Sequence, residues 1–403
     1  MRGRLGLLPI CAAAGVFFAS GTARIYLVPF HARAAGASSA EIGLLFSGMQ
    51  LCAAAAAIPA GMVVDRYGRR RVLVAAALLG AGNLVAIAGA SWFPLELLLQ
   101  GVGGVSGSAG MATCMALAVD RTSPTRLGSA VASVTLSNQV GYLAGPALAA
   151  LLLRWLSVDA DLVASGCLAL LVLAIVPLIE EPSRSTARRG RLGAAVRSLA
   201  GRRDVASVFL AMLAATLLWG TLEAFLPLFA SERLRLSESV VGVLLAFQAL
   251  LNGASRYPAG RIANRMAGGP AIFALTTGYG AMLVAATQVR GLAGGLILCG
   301  SVVLIATAFV LLATAFAALS DEANRGTVMG VYTTAIFVGL SAGPLGVGPI
   351  VQVSDFAVGF TACAVTAIAL SFVALFVIGG RSPARPALAG ATLDGGGSGP
   401  ERR

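Results

Sequence analysis

Residues 41–71 read EIGLLFSGMQLCAAAAAIPAGMVVDRYGRRR. From 41 to 63 the stretch is almost wholly apolar, and it then breaks into Asp65-Arg66-Tyr67-Gly68-Arg69-Arg70-Arg71. A helix rises about 1.5 Å per residue, so roughly twenty such residues cross about 30 Å of hydrocarbon. The basic cluster holds the end of that crossing at a membrane surface. Gly61 leaves room for two helix backbones to approach, and Gly68 permits a tight turn into the next apolar run. Anchoring does not explain Asp65.

The pattern repeats along the chain. Apolar runs lie at about 7–30, 41–63, 72–92, 94–118, 127–153, 160–179, 206–230, 239–263, 270–289, 291–318, 327–351 and 357–379. Of the 403 residues, 58% are apolar and 11% charged. A soluble domain carries about a quarter charged residues. The expected fold is therefore an all-α membrane protein with twelve transmembrane helices. The first run is too long for a cleaved signal peptide and belongs to the repeat described below.

Composition excludes several activities. All 29 basic residues are Arg, so there is no lysine for a phosphate-binding loop, a Schiff base or a kinase site. His31 is the only histidine, which excludes His-rich metal sites and leaves a Ser/His/Asp triad dependent on one residue. Cys11, Cys52, Cys114, Cys167, Cys299 and Cys363 match no zinc or redox spacing and read as small hydrophobes. No enzyme activity, cofactor, metal or nucleic-acid partner is expected. The net charge of +12 reflects topology. With the N-terminus cytoplasmic, 22 Arg fall on the cytoplasmic side and five on the outer side: Arg33, Arg154, Arg233, Arg235 and Arg290. The positive-inside rule then places both termini in the cytoplasm, with the chain in the plasma (inner) membrane.

The longest polar stretch before the tail, at about 181–205, divides six runs from six. A shift of 199 residues carries Gly21-Thr22 onto Gly220-Thr221, Gly43 onto Gly242 and Pro59-Ala60-Gly61 onto Pro258-Ala259-Gly260. A shift of 198 carries Gly141 and Gly145-Pro146 onto Gly339 and Gly343-Pro344. These matches imply two pseudo-symmetric six-helix bundles, at 1–180 and 206–379, joined by a cytoplasmic linker at 181–205. A Gly/Pro-rich tail at 380–403 is expected to be disordered. Parallel repeats of this kind place a transport site at the bundle interface.

The segment Gly61-Met62-Val63-Val64-Asp65-Arg66-Tyr67-Gly68-Arg69-Arg70-Arg71 resembles the loop 2–3 signature of the major facilitator superfamily, G-x-x-x-D-R-x-G-R-[KR], at every fixed position. The likeness extends over about 7–379 and implies a twelve-helix transporter that alternates between inward- and outward-facing states. By that resemblance, Asp65 accepts hydrogen bonds at the start of the eleventh helix, near Thr327, and Arg69 bridges to Asp120 at the end of the fourth span. The gating residues are then Gly61, Asp65, Arg66, Gly68, Arg69, Arg70 and Asp120. The second copy keeps Gly260 and Arg265 but has Asn264 in the Asp65 position, so its latch lacks the charge.

In the fifth span, Gly141-Tyr142-Leu143-Ala144-Gly145-Pro146-Ala147-Leu148-Ala149-Ala150 resembles the family's antiporter signature, with Ala149 and Ala150 for its last two glycines. Gly141, Gly145 and Pro146 thus tilt the expectation toward drug/proton exporters, although plain helix packing also accounts for them. Such exporters carry an Arg three residues before Gln100-Gly101, whereas this chain has Leu97. Gly103 and Gly107 form a GxxxG pair expected to pack helices. The run Gly101-Val102-Gly103-Gly104-Val105-Ser106 is not a dinucleotide loop, because Ser106 replaces the last Gly and no strand precedes it.

Charges inside spans mark candidate cavity residues, since one near a span centre costs about 2.5–3.5 kcal/mol on insertion scales. The 199-residue shift carries Arg24 onto Glu223, so the two are expected to pair across the cavity, with Glu223 as the proton carrier. Snorkelling to the outer surface is the alternative. Gln248, Asn252 and Arg256 recur at steps of four on one face of the eighth span. Asn138, Gln139, Gln50 and Ser20 are further polar candidates, and Tyr26, Trp219 and Phe225 are candidates for an aromatic wall. His31 reads as an interfacial residue. The expected activity is proton-coupled export of small amphipathic molecules or drugs by alternating access. The alternative is an uptake symporter or uniporter for a small polar or anionic metabolite gripped by Arg24 or Arg256.

Overall fold

The computed structural model describes residues 6–122, 127–179, 202–266, 268–319 and 325–378. The linker and tail expected from the sequence lie almost wholly outside them. Twelve long helices follow one another: α1 (Leu8–Ala34), α2 (Ser39–Tyr67), α3 (Arg69–Ala88), α4 (Phe93–Asp120), α5 (Leu127–Leu152), α6 (Val158–Ile175), α7 (Arg203–Leu228), α8 (Glu238–Met266), α9 (Gly269–Gln288), α10 (Gly291–Ala318), α11 (Arg325–Val353) and α12 (Phe356–Ile378). Eleven of them carry described stretches long and apolar enough to cross a membrane.

Local chemistry sets several of the boundaries. Ser38 caps α2 by accepting from the Glu41 amide at 3.2 Å, while Glu41 Oε2 accepts from the Ser38 amide at 2.7 Å. Ser157 caps α6 through the Ala160 amide at 3.3 Å. Gly68 turns α2 into α3 at φ 94°, a conformation open to glycine and strained for residues with a Cβ.

Helix pairing repeats between the halves. In the first bundle α1 packs on α5 and α6, and α3 on α4 and α6, while α2 packs on α4. In the second, α7 packs on α11 and α12, and α9 on α10 and α12, while α8 packs on α10. The bundles meet along two equivalent seams, α2 on α11 and α5 on α8. The end carrying Leu8 and Ile378 is called the terminal end below, and the opposite one the far end.

In lipid, helices associate through close backbone packing at small residues. Gly141 lies against the Gly15 carbonyl and Ala19 amide of α1, and Gly145 against Thr22 and the Ala19 carbonyl. Gly339 and Gly343 make the matching approach to Thr216, Leu217 and Thr221 of α7. The expected Gly103–Gly107 packing pair does not form. Gly104 and Gly101 meet Met49 and Cys52 of α2 instead, Gly103 faces Arg24, and among the described residues Gly107 has nothing within 4 Å of a Cβ built there. Cys114, Cys299 and Cys363 are buried, whereas Cys167 is exposed.

Far-end contacts join the bundles. Ser47 donates to the Ser341 carbonyl at 2.7 Å, and Tyr26 to the Glu238 carbonyl. A Cβ at Gly43 would overlap the Pro344 carbonyl, and one at Gly242 would overlap Ala150 and lie 3.1 Å from the Pro146 carbonyl. These two glycine–proline contacts are related by the same repeat that relates the sequences. This is a far-closed state.

Candidate functional site

Buried charge lies within the membrane-spanning helices, past their midpoints toward the far end. Glu223 of α7 accepts from the Tyr142 hydroxyl of α5 with Oε1, and from Trp219 Nε1 at 3.1 Å with Oε2. One bond crosses between bundles and the other lies one turn back on the same helix. Both carboxylate oxygens are used as acceptors, which fits the ionised form. Tyr279 of α9 is fully buried within electrostatic reach of Glu223, and its hydroxyl has no partner among the described residues. A narrow cavity beside Glu223 is lined by Thr22, Ile25, Tyr142, Pro146 and Leu245.

Arg24 does not meet Glu223. Its guanidinium turns into the first bundle, where the missing side chain of Gly103 on α4 makes room for it beside Asn83. A second narrow cavity holds Arg24 and Gln100, and Ile25 borders both cavities. Opposite charges at repeat-related positions meet elsewhere: Arg33 and Glu232 are also 199 residues apart, with Nε–Oε1 at 2.7 Å and Nη2–Oε2 at 3.3 Å. A π-helical turn at Phe229–Arg233 after α7 carries Glu232 to this meeting point at the far end. The pair is partly solvent-exposed, so it contributes about 0.2–1 kcal/mol. Arg33→Glu is expected to raise far-end opening up to about fivefold, and adding Glu232→Arg to reverse it. The rate of impermeant thiol labelling of a cysteine at Ser47 (S47C), a position buried in the seam, measures the opening.

The other candidates are spread through the structure. Gln248 and Asn252 are buried on α8, and Arg256 donates through Nε to Asn252 Oδ1 at 3.1 Å, in electrostatic reach of Tyr142 and Tyr332. Gln139 faces Gly253 across the α5–α8 seam. Asn138 turns away and donates to Met111 Sδ at 3.1 Å in its own bundle, and Ser20 donates to the Ser165 carbonyl at 2.7 Å. Gln50 is buried on α2, and Phe225 packs edge-on against Phe356. His31 is buried near the far end of α1. Its Nδ1 lies 2.7 Å from Asp159 Oδ1, and its Nε2 lies 3.0 Å from the Ala90 carbonyl and 3.1 Å from Glu96 Oε1. With acceptors at both ring nitrogens, the imidazole fits its doubly protonated form, tying α1 to α4 and α6.

At the terminal end, Arg69 Nε donates to Asp120 Oδ2 at 2.8 Å, while Arg66 lies 5.5 Å from the Tyr67 ring centre. Arg70 is half-buried. Among the described residues, Gly61 has no neighbour within 4 Å of a Cβ built there. The side chains of Asp65, of 260–266 and of 325–330 lie outside the described residues, and with them the Asp65 latch.

The Major Facilitator Superfamily profile matches residues 10–344 and 208–397. The chain belongs to that superfamily. Its fold is similar to a bacterial homologue of the human lysosomal transporter Spinster, solved in an inward-facing, unoccupied conformation. That likeness has a TM-score of 0.78 and 15% identity, covering 93% of this chain and 96% of the other. It is equally similar to the nucleoside transporter NupG, with a TM-score of 0.78 and 14% identity over 92% of this chain and 98% of that one. A curated relative, the uncharacterised MFS-type transporter YddS of Bacillus subtilis (strain 168), is 29% identical over 158 residues. That match covers 38% of this chain, which spans 36% of the relative's length. Family and fold point to a transporter rather than an enzyme.

Within the superfamily fold, Tyr142, Tyr279, Asn83 and the His31–Glu96–Asp159 cluster are contributions that sequence reasoning missed. Glu96 lies inside the fourth apolar run, and Asp161, fully buried beside Ser165, inside the sixth. Acids in those positions were a readable signal. Nothing in the sequence distinguished Tyr142 or Tyr279 from packing aromatics.

Proposed function

We propose that this chain is a secondary active transporter that exports small amphipathic molecules in exchange for protons, by alternating access. The observation that carries this reading is the bridge from Tyr142 in one bundle to Glu223 in the other. An ionised carboxylate accepts from both Tyr142 and Trp219. Protonation removes the charge that strengthens both hydrogen bonds and leaves a neutral carboxyl held more weakly. Taking up a proton therefore weakens a tie between the bundles, which is what a coupling group has to do. The Arg asymmetry supports a plasma-membrane orientation with both termini and the 181–205 linker in the cytoplasm. The far end would then face outward, and the far-closed state would be open toward the cytoplasm. The antiporter-like Gly141, Gly145 and Pro146 favour export through family resemblance.

The test is purified protein reconstituted in vesicles with an internal pH dye and challenged with a panel of small molecules. Proton movement opposite to substrate flux supports the exporter. Movement in the same direction supports an uptake symporter, and substrate flux without proton movement overturns the coupling.

A further inference from the structure

The geometry points to Arg24 as the binding group for the anionic head of an amphipathic organic anion. This reading rests on the proposed transport function and narrows its substrate class. Arg24 is 8% exposed, lies inside a membrane span, and its Nε has no hydrogen-bond partner. No acid pairs with it among the described residues. Glu223 is held by Tyr142 and Trp219, and Glu96 stands beside His31. Two further buried acceptors nearby, Asn83 Oδ1 and Gln100 Oε1, also lack partners. A buried cation without a counter-charge is costly to keep, and its usual neighbours are a partner or a water-filled path.

The setting is built for one charge. Gly103 provides the space the guanidinium occupies, since a Cβ there would overlap it. Around Arg24 the cavity wall is Val28, Ile42, Leu45, Phe46 and Met49, with Gln100 the other polar group. A carboxylate or phosphate on an apolar body matches that wall: the guanidinium fork takes the head and the aliphatic side chains take the body. A neutral or cationic molecule of the same shape leaves the charge uncompensated. The cavity is lined from α1, α2 and α4 of one bundle and by Ala224 of the other, so an occupant touches both bodies.

The experiment uses the full chain in detergent micelles of a neutral surfactant, with no gradient present. Thermal stabilisation is titrated with hexanoate, hexanol and hexylammonium, because a ligand that binds the folded state raises its melting temperature. Hexanoate alone is expected to stabilise. Arg24→Gln is expected to weaken it at least about tenfold, and Arg24→Lys, which keeps the charge but not the fork, to weaken it less. Gly103→Ala, which crowds the guanidinium, should weaken it too, and size-exclusion profiles establish that each variant is folded. Equal action of the three probes, or an unchanged hexanoate response in Arg24→Gln, overturns the proposal. Competition by added phosphatidylglycerol assigns the site to a lipid headgroup and also overturns it; its absence supports a free organic anion. Binding here needs no proton, so a failed vesicle coupling test with intact hexanoate binding strikes only the exporter reading.

Discussion

Glu223→Gln is expected to abolish accumulation of substrate against its gradient while leaving substrate exchange at equal pH on both sides. Gln keeps the shape of Glu and can satisfy the same neighbours. Its carbonyl accepts from Trp219, which can only donate, and its amide faces the Tyr142 hydroxyl, which can turn to accept. It cannot gain or lose a proton. One coupled proton sustains about a tenfold substrate gradient per pH unit, and the variant should sustain none. Vesicles with an imposed pH step measure the ratio directly. Accumulation equal to that of the unaltered protein would remove Glu223 from coupling. Tyr142→Phe supplies the complementary case: it keeps the proton site but breaks the tie between bundles, so faster exchange with reduced accumulation is expected.

The second large effect is expected at the far-end seam. Gly43→Val and Gly242→Val both place side-chain atoms where a proline carbonyl or Ala150 already stands. Overpacking of this kind costs about 1–3 kcal/mol, which shifts the balance between far-closed and far-open states by about 5–150-fold. Both variants should speed thiol labelling of S47C by a similar factor, because the two contacts are equivalent under the repeat. Gly346→Ala, on the same helix as Pro344 but with no neighbour within 4 Å of the added Cβ, should leave the rate unchanged. Unequal responses at Gly43 and Gly242 would show that the two seams bear closure unequally.

The twelve helices were legible because hydrocarbon demands long apolar runs, and the repeat was legible because small residues keep their register where backbones touch. The same register made Arg24 and Glu223 look like partners, and there the inference from sequence failed. A repeat shift relates backbone positions but not the paths that long side chains take from them. The Arg24 guanidinium turns to Gly103 within its own bundle, whereas Glu223 reaches Tyr142 in the other. Nine residues further on, Arg33 meets Glu232. The Gly-Pro signature was read as a mark of antiporters, yet its α11 copy seats against Gly43 as the α5 copy seats against Gly242. Its geometry is that of a joint used twice. Tyr142 escaped notice because a tyrosine among glycines looks like any packing aromatic until its hydroxyl is placed.

The glycine–proline seam also bears on electrical insulation. At Gly43 and Gly242 the bundles close backbone on backbone, leaving no room for a file of water molecules that would short-circuit an ion gradient. This barrier is steric, so raising ionic strength weakens the Arg33–Glu232 clasp without thinning it. A larger side chain at either glycine would therefore act as a leak as well as a wedge, and vesicles would lose their pH step with no substrate present.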